Sequence, residues 1–321
     1  MTVLAVDVGG TKFAAAAVET DGTVLARAEV PLHGRGPVEE TLAEVVGRII
    51  DQVGGDHLAG VGIGSAGPLD PCAGTVSPVN IPSWRDFPLV EALEQILPGR
   101  PVRLAGDAQC MALGEWWLGL PEGQPSGAVL GVVVSTGVGG GLVLDGMPYL
   151  GPTGNAGHIG HIVADVGGDR CPCGAVGCVE TVASGPSMVR WAHTNGWTGD
   201  DARALAADAH SGDPVARQAF QRAAGTLAAA VLTTSALFDL DHVVVGGGVA
   251  AAGTVLFDPL REAIAANAGL GFLRRLRVTP TSLGRDAGLL GAAALVLHQN
   301  SGEAGTLVPE RGAPGSVPTQ G

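Results

Sequence analysis

The stretch VLAVDVGGTKFA, residues 3–14, decides the fold. An apolar, β-rich run stops at two glycines and then resumes, which predicts a strand, a glycine turn and a second strand. Glycine lets backbone N–H groups approach an anion because no Cβ intervenes, and the first strand ends in a carboxylate that can hold Mg²⁺. This composition favours a phosphate cradle, with an ordinary glycine hairpin as the alternative. The candidate residues are Asp7, Gly9, Gly10, Thr11 and Lys12.

Similar glycine turns occur twice more. The apolar strand 129–135 runs into the turn 136–141, and the strand that begins at His242 ends in Gly246-Gly247-Gly248. Repetition of strand, turn and strand suggests a duplicated fold that holds one polyphosphate between two halves. The third turn can lie beside an adenine or ribose, or it can be a plain strand-to-helix turn. Neither of the first two turns has the spacing of a Walker or dinucleotide motif. The candidates are Thr136, Gly137, Gly139, Gly247 and Gly248.

Composition excludes several classes of protein. A chain of 321 residues with 46% hydrophobic residues can bury a large core and is expected to form two domains. The net charge of −13 would repel phosphate backbones, so nucleic acid is not an expected partner. The sequence has no apolar run of membrane-spanning length and no leader-like N-terminus, so we expect a cytoplasmic protein without a membrane partner.

Two polar residues stand at informative places. Asp107 follows the strand that begins at Val102 and precedes a helix, where ligand crevices of α/β proteins open. Its carboxylate can take a proton from a substrate hydroxyl, or it can cap the helix. Asn80 lies in a loop, where it can offer an amide to a ligand or form an Asx-turn.

A cysteine cluster is the most specific signal. Cys171, Cys173 and Cys178 lie in one glycine-rich loop, and His161 precedes them by ten residues. Three thiolates and one imidazole suit tetrahedral Zn²⁺, and four protein ligands define a structural site. Three incidental buried thiols are the alternative. Zinc would hold the loop 157–180 together and fix the position of Glu180.

Together these motifs resemble the ROK family (repressors, open reading frames, sugar kinases), and the resemblance runs from about residue 3 to residue 298. The motifs that carry it are DVGGTK at 7–12, the Asp107 turn followed by ALGE at 112–115, TGVGGG at 136–141, GHIGH at 157–161 and CPCGAVGCVE at 171–180.

The resemblance implies an α/β, two-domain actin/hexokinase-like (ribonuclease H-like) fold with a cleft between the lobes. Residues 1–118 with 286–299 would form the smaller N-terminal lobe, and residues 119–285 the larger lobe with the zinc loop. Residues 300–321 are rich in Gly, Pro, Ser and Thr without periodicity, which predicts a disordered tail.

The resemblance also implies an ATP-dependent kinase that phosphorylates the 6-hydroxyl of a hexose or amino-hexose. The glycine turns would hold ATP with Mg²⁺, and Asp107 would deprotonate the sugar hydroxyl. His161 would serve both the sugar and the structural zinc. Family members are often dimers or tetramers, so a homodimer is expected. The residues expected to contact sugar are Gly67, Asn80, Asp107, His158, His161 and Glu180.

Two positions depart from the family pattern. His158 stands where the family usually has a Glu that contacts the sugar near its 1- and 2-hydroxyls, and Gly106 replaces the usual Asn before Asp107. The first change replaces a carboxylate by an imidazole that can donate, and the second removes a polar side chain. Such changes alter discrimination between sugars, so the sequence suggests an amino-hexose, with kanosamine (3-amino-3-deoxyglucose) as the specific hypothesis.

Three alternatives stay open. Glucose remains a candidate substrate because Asp107, His161 and Glu180 are present. A non-catalytic sugar sensor fits the two departures, although the glycine turns argue against it. A repressor of the family would carry a helix-turn-helix ahead of the kinase-like part, and the first strand is expected to start already at Val3. The sequence does not decide whether polyphosphate can replace ATP.

Overall fold

The computed structural model describes residues 1–32, 37–78, 81–120 and 127–298. Asn80 and the tail predicted for 300–321 lie outside the described residues. The strands, in chain order, are β1 Thr2–Val8, β2 Lys12–Glu19, β3 Val24–Pro31, β4 Leu58–Ser65, β5 Leu69–Asp70, β6 Thr75–Val76, β7 Val102–Gly106, β8 Ala128–Val134, β9 Val138–Leu144, β10 Met147–Tyr149, β11 His242–Gly246 and β12 Arg277–Pro280. The helices are α1 Val38–Val53, α2 Leu89–Ile96, α3 Asp107–Gly114, α4 Glu180–Ala183, α5 Gly185–Thr194, α6 Ala202–Ser211, α7 Pro214–Phe238, α8 Thr254–Asn267 and α9 Ala287–Leu297.

Two five-stranded sheets share one plan. Their strand orders are β3-β2-β1-β4-β7 and β10-β9-β8-β11-β12. In each sheet three antiparallel strands are followed by two strands that run parallel to the third, so the second sheet repeats the first strand by strand. The opening motif forms the first hairpin, with Asp7 paired to Ala14. The mixed α/β class predicted from the sequence is confirmed, and the repeated plan is what a duplicated fold requires.

Small and branched side chains build three cores. Alternation along β1 sends Leu4, Val6 and Val8 to the outer core under α1 and α2, and Val3 and Ala5 to a central core. The central core lies between the two sheets and contains α9 and much of α3. The third core lies under α5 to α8, on the far face of the second sheet.

Helices α3 and α9 cross between the two sheets. Helix α3 follows a strand of the first sheet but packs on β8 and β9 of the second. Helix α9 follows a strand of the second sheet but packs on β1 and β4 of the first. The two helices also pack on each other, so the sheets are joined through them. The lobe boundaries given above stay a prediction.

The sequence pattern set most element bounds. Helix α1 spans the residues that its apolar periodicity predicts, and it buries Leu42, Val45, Val46 and Ile49 on one face. Helix α7 begins with Pro214 after the N-cap Asp213, whose side chain accepts from the Ala216 N–H. Within the described ranges, no helix has both the length and the apolar character needed to cross a bilayer.

The segment after β7 differs from the sequence expectation. Gly106 is the residue that caps α3, and Asp107 is the first residue inside the helix, so the capping alternative for Asp107 does not hold. The helix predicted to continue to residue 118 changes at its end into a π-helical turn, Glu115–Gly119. Strand β10, helix α4 and the short pair β5 and β6 carry too few residues for a periodic pattern, and the sequence did not indicate them.

Candidate active site between the glycine turns and the zinc loop

The first glycine turn carries a perturbed carboxyl group. The Gly9 N–H donates to the Lys12 carbonyl at 3.2 Å, which closes the turn between β1 and β2. Burial raises the pKa of the Asp7 carboxyl to about 7, the charge of Asp107 adds to the increase, and Lys12 opposes it. The Lys12 Nζ itself lies 2.7 Å from Glu29 Oε2 on β3. Asp7 and Asp107 are therefore electrostatic neighbours.

Asp107 is exposed at the start of α3 and faces the group of residues Gly67, Asn155 and His158, which we call the crevice. Its side chain is reached by solvent, yet the protein around it desolvates the carboxyl and raises its pKa. The Ala108 N–H, which donates to Oδ1 at 2.7 Å, and the positive charge of His158 both lower the pKa in opposition. A desolvated carboxylate that solvent still reaches can accept a proton from a bound hydroxyl.

His158 faces Gly67 across this crevice. A Cβ added to Gly67 would lie 3.6 Å from His158 Nε2, so the absence of a side chain leaves that nitrogen open. His158 Nδ1 lies 2.8 Å from the Asn155 carbonyl oxygen. A carbonyl oxygen only accepts, so Nδ1 carries the hydrogen and Nε2 is an acceptor when the ring is neutral. The donor expected at this position from the sequence is thus available only from the protonated ring.

Asn155 joins the two sides of the crevice and was not indicated by the sequence. Its Oδ1 accepts from the Leu69 N–H at 3.2 Å, and its Nδ2 donates to the Leu69 carbonyl at 2.9 Å. This pairing binds β5, just after Gly67, to the loop that carries His158. A single Asn in a Gly/Pro-rich loop has no spacing that reveals such a contact.

The space beside Gly106 is partly filled. The Gln109 Oε1 accepts from the Gly106 N–H at 2.8 Å, and a Cβ at Gly106 would lie 3.2 Å from the same oxygen. The Gln109 Nε2 donates to the Ala156 carbonyl at 2.9 Å. Gln109 therefore lies where the sequence suggests an empty pocket, and it also ties the start of α3 to the loop before His158.

The predicted zinc ligands come together. The ligand atoms of His161, Cys171, Cys173 and Cys178 all lie within 4.8 Å of one another. Cys171 Sγ lies 3.7 Å from His161 Nδ1, and Cys173 Sγ lies 3.7 Å from Cys178 Sγ. A tetrahedral zinc ion with Zn–S bonds of about 2.3 Å needs sulfur atoms about 3.8 Å apart, so the four side chains fit the ion.

Glu180 connects the zinc loop to the second glycine turn. It begins α4, two residues after Cys178, and its Oε2 accepts from the Val138 N–H at 3.0 Å. A Cβ at Gly137 would lie 2.7 Å from the same oxygen, so a side chain there would displace the Glu180 carboxylate from its present position. The amide of Val138 is thus already engaged, and Glu180 reaches the turn as well as the zinc loop.

The second and third glycine turns border a large cavity. Gly247 has a φ of +93°, and a Cβ there would lie 2.3 Å from the Val134 carbonyl oxygen, so the third turn lies directly on the end of β8. The cavity of about 1340 Å³ beside them is lined by Thr136, Gly247, Gly248, α5 and the segment 280–285. Thr136 also lines a neighbouring cavity of about 620 Å³, which Glu180 borders. Among the described residues, those of the first glycine turn do not line the larger cavity.

Comparison with known proteins gives consistent matches over nearly the whole chain. Residues 3–299 match the ROK family. The chain is 31% identical over 318 residues to the glucokinase of Thermotoga maritima, covering 94% of this chain and 99% of that protein. It is 38% identical over 296 residues to the N-acetylmannosamine kinase of Shigella flexneri, covering 92% and 98%.

Solved structures agree. The ROK family glucokinase from Streptomyces griseus, in complex with glucose and AMPPNP, superposes with a TM-score of 0.79 at 32% identity, covering 92% of this chain and 99% of that chain. The ROK hexokinase from Thermus thermophilus gives a TM-score of 0.79 at 35% identity, covering 94% and 100%.

Fold and neighbours define a two-domain α/β protein of the actin/hexokinase-like class. Within that class, the chain belongs to the ROK family. The prediction of a ROK sugar kinase is confirmed at this level.

Proposed function

We propose that the protein transfers the γ-phosphoryl group of ATP to the 6-hydroxyl of a hexose or amino-hexose in the cytoplasm. The observation that carries this proposal is the desolvated Asp107 carboxyl, which solvent reaches at the start of α3, within the electrostatic range of Asp7 and His158. The AMPPNP and glucose complex of the Streptomyces griseus relative supports the same pair of substrates. A homodimer is the assembly we expect.

Asp107 accepts the proton of the sugar hydroxyl and orients its oxygen toward the phosphorus. Its raised pKa makes it a stronger base than an ordinary exposed carboxylate, which favours this transfer near neutral pH. Asp7 would hold Mg²⁺, which neutralises phosphate charge when it is bound. Backbone amides of the glycine turns bind the phosphates, and the remaining requirement is position.

Glu180 and His161 position the sugar from the zinc loop. Zinc would fix the backbone between Cys171 and Cys178, and Glu180 follows it directly. The Val138 N–H bond links this side of the sugar site to the phosphate turn. Sugar and nucleotide would therefore be aligned through one short segment.

We propose an amino-hexose, and specifically kanosamine, as the preferred sugar. The open Nε2 of neutral His158 can accept a hydrogen from an ammonium or a hydroxyl, which suits a sugar rich in donors. Gln109 occupies part of the space beside Gly106, so the contacts to hydroxyls on that side differ from those of an Asn at position 106. Glucose is the second candidate, favoured by the named glucokinase relatives.

The test is coupled ADP release on wild type and Asp107→Asn, with glucose, mannose, N-acetylmannosamine, glucosamine and kanosamine. We expect Asp107→Asn to lower kcat by about 10²–10⁴-fold while sugar and ATP still bind, because the variant loses a base and keeps the shape. Asp145→Asn, in the exposed turn between β9 and β10, is the matched control and should retain full activity.

Each outcome of this assay distinguishes between the candidate functions. Kanosamine preferred over glucose supports the specific hypothesis, and a shift toward glucose in His158→Glu supports the role of that residue. Glucose preferred over every amino-sugar makes the protein a glucokinase with an altered pocket. If calorimetry detects sugar binding but no sugar causes ADP release, the kinase assignment is wrong and the protein is a non-catalytic sugar sensor.

A further inference from the structure

The carboxylate of Glu115 is buried in the π-helical turn that ends α3. The residue is 1% exposed, and both of its oxygens accept hydrogen bonds. The Thr281 hydroxyl and the Leu283 N–H, at 3.1 Å, donate to Oε1. The Ser282 N–H, at 3.2 Å, and the Ser282 hydroxyl, at 3.0 Å, donate to Oε2. All four donors belong to one short segment, so the carboxylate holds that segment as a unit.

This segment forms a wall of the larger cavity. Residues 281–286 connect β12 to α9, and Pro280, Thr281, Gly284 and Arg285 line the cavity of about 1340 Å³. The Thr281 N–H donates to the Val245 carbonyl at 3.0 Å, and a Cβ at Gly246 would lie 3.5 Å from the Thr281 Cβ. Thr281 therefore joins Glu115 to the third glycine turn.

The π-helical turn packs closely on the Glu115 carboxylate. A Cβ at Gly119 would lie 2.1 Å from Glu115 Oε2, so glycine is required where the turn folds over the carboxylate. After residue 286, α9 starts beside the first glycine turn, since a Cβ at Gly288 would lie 3.5 Å from Asp7 Oδ2. Glu115 thus connects the helix that begins with Asp107 to the helix that begins beside Asp7.

Burying a carboxylate between two helices carries a large desolvation free energy. Apolar packing of similar volume is often as stable or more stable than a buried charge, so stability alone does not account for Glu115. A carboxylate with four aimed donors does fix position and direction more narrowly than apolar contact. The geometry therefore favours a role in placing the cavity wall.

We infer that Glu115 is a positioning residue for nucleotide binding, acting through residues 281–283. The inference rests on the proposed function, and it places the nucleotide in the larger cavity because Thr136, Gly247 and Gly248 of the second and third glycine turns line it. Glu115 touches neither substrate in this arrangement. It sets the distance between the third glycine turn and the start of α9, and hence the fit of the cavity to ATP.

The test is Glu115→Gln, in which an amide of the same shape faces four donors with one acceptor. We expect the Kd for ATP and the KM for ATP to rise about tenfold, because loss of hydrogen bonds to a buried charge shifts the wall. Sugar affinity measured without nucleotide should change less than twofold, and kcat at saturating ATP less than threefold. Calorimetry and steady-state kinetics give these values.

Leu227→Ala is the matched control for a loss of stability. Leu227 is buried in α7, in the core of the second sheet away from the segment 281–283. It should lower the melting temperature at least as much as Glu115→Gln and leave the Kd for ATP unchanged. Equal effects of the two variants on stability, with no effect of either on ATP, overturn the inference.

A second variant covers failure of Glu115→Gln to fold. Thr281→Val with Ser282→Ala keeps the carboxylate and its two backbone donors, and removes both hydroxyl donors. It should also weaken ATP binding and spare sugar binding, and an unchanged Kd for ATP contradicts the inference. A wild-type protein that binds no ATP overturns the proposed function and this inference together.

Discussion

Two carboxyl groups set the chemistry of the crevice at the scale of single residues. Asp7 lies near the end of β1 and Asp107 directly follows β7, with β4 between the two strands, and burial raises the pKa of both. The proposed roles of the two residues, base and Mg²⁺ ligand, depend on this environment in different ways. A base benefits from a pKa close to the working pH, whereas a ligand of Mg²⁺ becomes a carboxylate once the cation is bound.

The raised pKa of Asp7 predicts that stability falls as pH rises. The pKa is about 7 in the folded protein, against 3.8 for an Asp side chain free in water, so the folded state binds this proton more tightly. Its stabilising contribution is complete below about pH 4 and is lost between about pH 4 and 7, with a magnitude of about 4 kcal/mol at most. Without Mg²⁺ and with EDTA, Asp7→Asn should match wild type at pH 4 and melt a few degrees higher at pH 8.

Calorimetric melting at the two pH values checks this expectation. Asp107 is present in both proteins, so the difference between them reports Asp7 together with its repulsion by the Asp107 charge. A variant that melts below wild type at pH 8 contradicts the desolvated position of Asp7. Adding Mg²⁺ should raise the melting temperature of wild type alone.

The roles of residues could be predicted where a reactive side chain lies at the end of a strand. Asp7, Asp107 and the four zinc ligands stand out by position or spacing, and the structure brings each set together. Asn155 and Gln109 could not be predicted, because their partners are backbone atoms 86 and 47 residues away in the chain. Glu115 was visible only as part of a motif, and its burial depends on how two distant helices cross.

The zinc loop is the element that links the proposed sugar site to the second glycine turn. Gly177, with a φ of +77°, passes so close to the Asp165 carbonyl that a Cβ would lie 1.5 Å from it. Cys178 then lies on the loop next to His161, and Glu180 reaches the second glycine turn. The loop has almost no secondary structure of its own, so the ion would supply its rigidity.

Cys178→Ser should therefore affect the sugar more than the nucleotide. We expect bound zinc to fall from one ion per chain to none. The KM for sugar should rise at least tenfold, because the loop without its ion no longer holds Glu180 in place. Zinc is measured by elemental analysis and KM by coupled assay. Cys72→Ser, at an exposed thiol outside the cluster, is the control that should keep zinc and activity. Full activity in zinc-free Cys178→Ser contradicts a supporting role for the ion.

Elements were predictable where a long periodic pattern exists. The bounds of α1 and the two glycine hairpins follow from apolar spacing, and α7 from its length. The π-helical turn after α3 could not be predicted, because it depends on Glu115 reaching the segment 281–283. Propensity does not register a helix that changes its winding to serve a tertiary contact.

At the scale of the whole molecule, the crossing of α3 and α9 depends on glycine. A Cβ at Gly291 would lie 1.6 Å from the Cys110 carbonyl oxygen, and a Cβ at Gly114 would lie 2.3 Å from the Ala287 carbonyl oxygen. Gly291→Ala should thus force the helices apart and lower the free energy of unfolding by about 3 kcal/mol.

Gly225→Ala is the opposite control. Gly225 lies inside α7 with no atom within 4 Å of an added Cβ, so alanine should stabilise the protein by up to about 1 kcal/mol. Urea unfolding of the two variants and wild type measures both changes. If Gly291→Ala unfolds like Gly225→Ala, the close crossing of α3 and α9 is wrong.

The exchange of α3 and α9 between the sheets has a consequence for how the chain can be divided. Each half of the chain contributes a helix to the other half's sheet, so neither half contains a complete core. A fragment ending before residue 120 would expose the apolar surface of the first sheet that α9 covers, and its complement would lack the helix that covers β8 and β9. Two halves that look like copies in strand order therefore depend on each other to complete their cores.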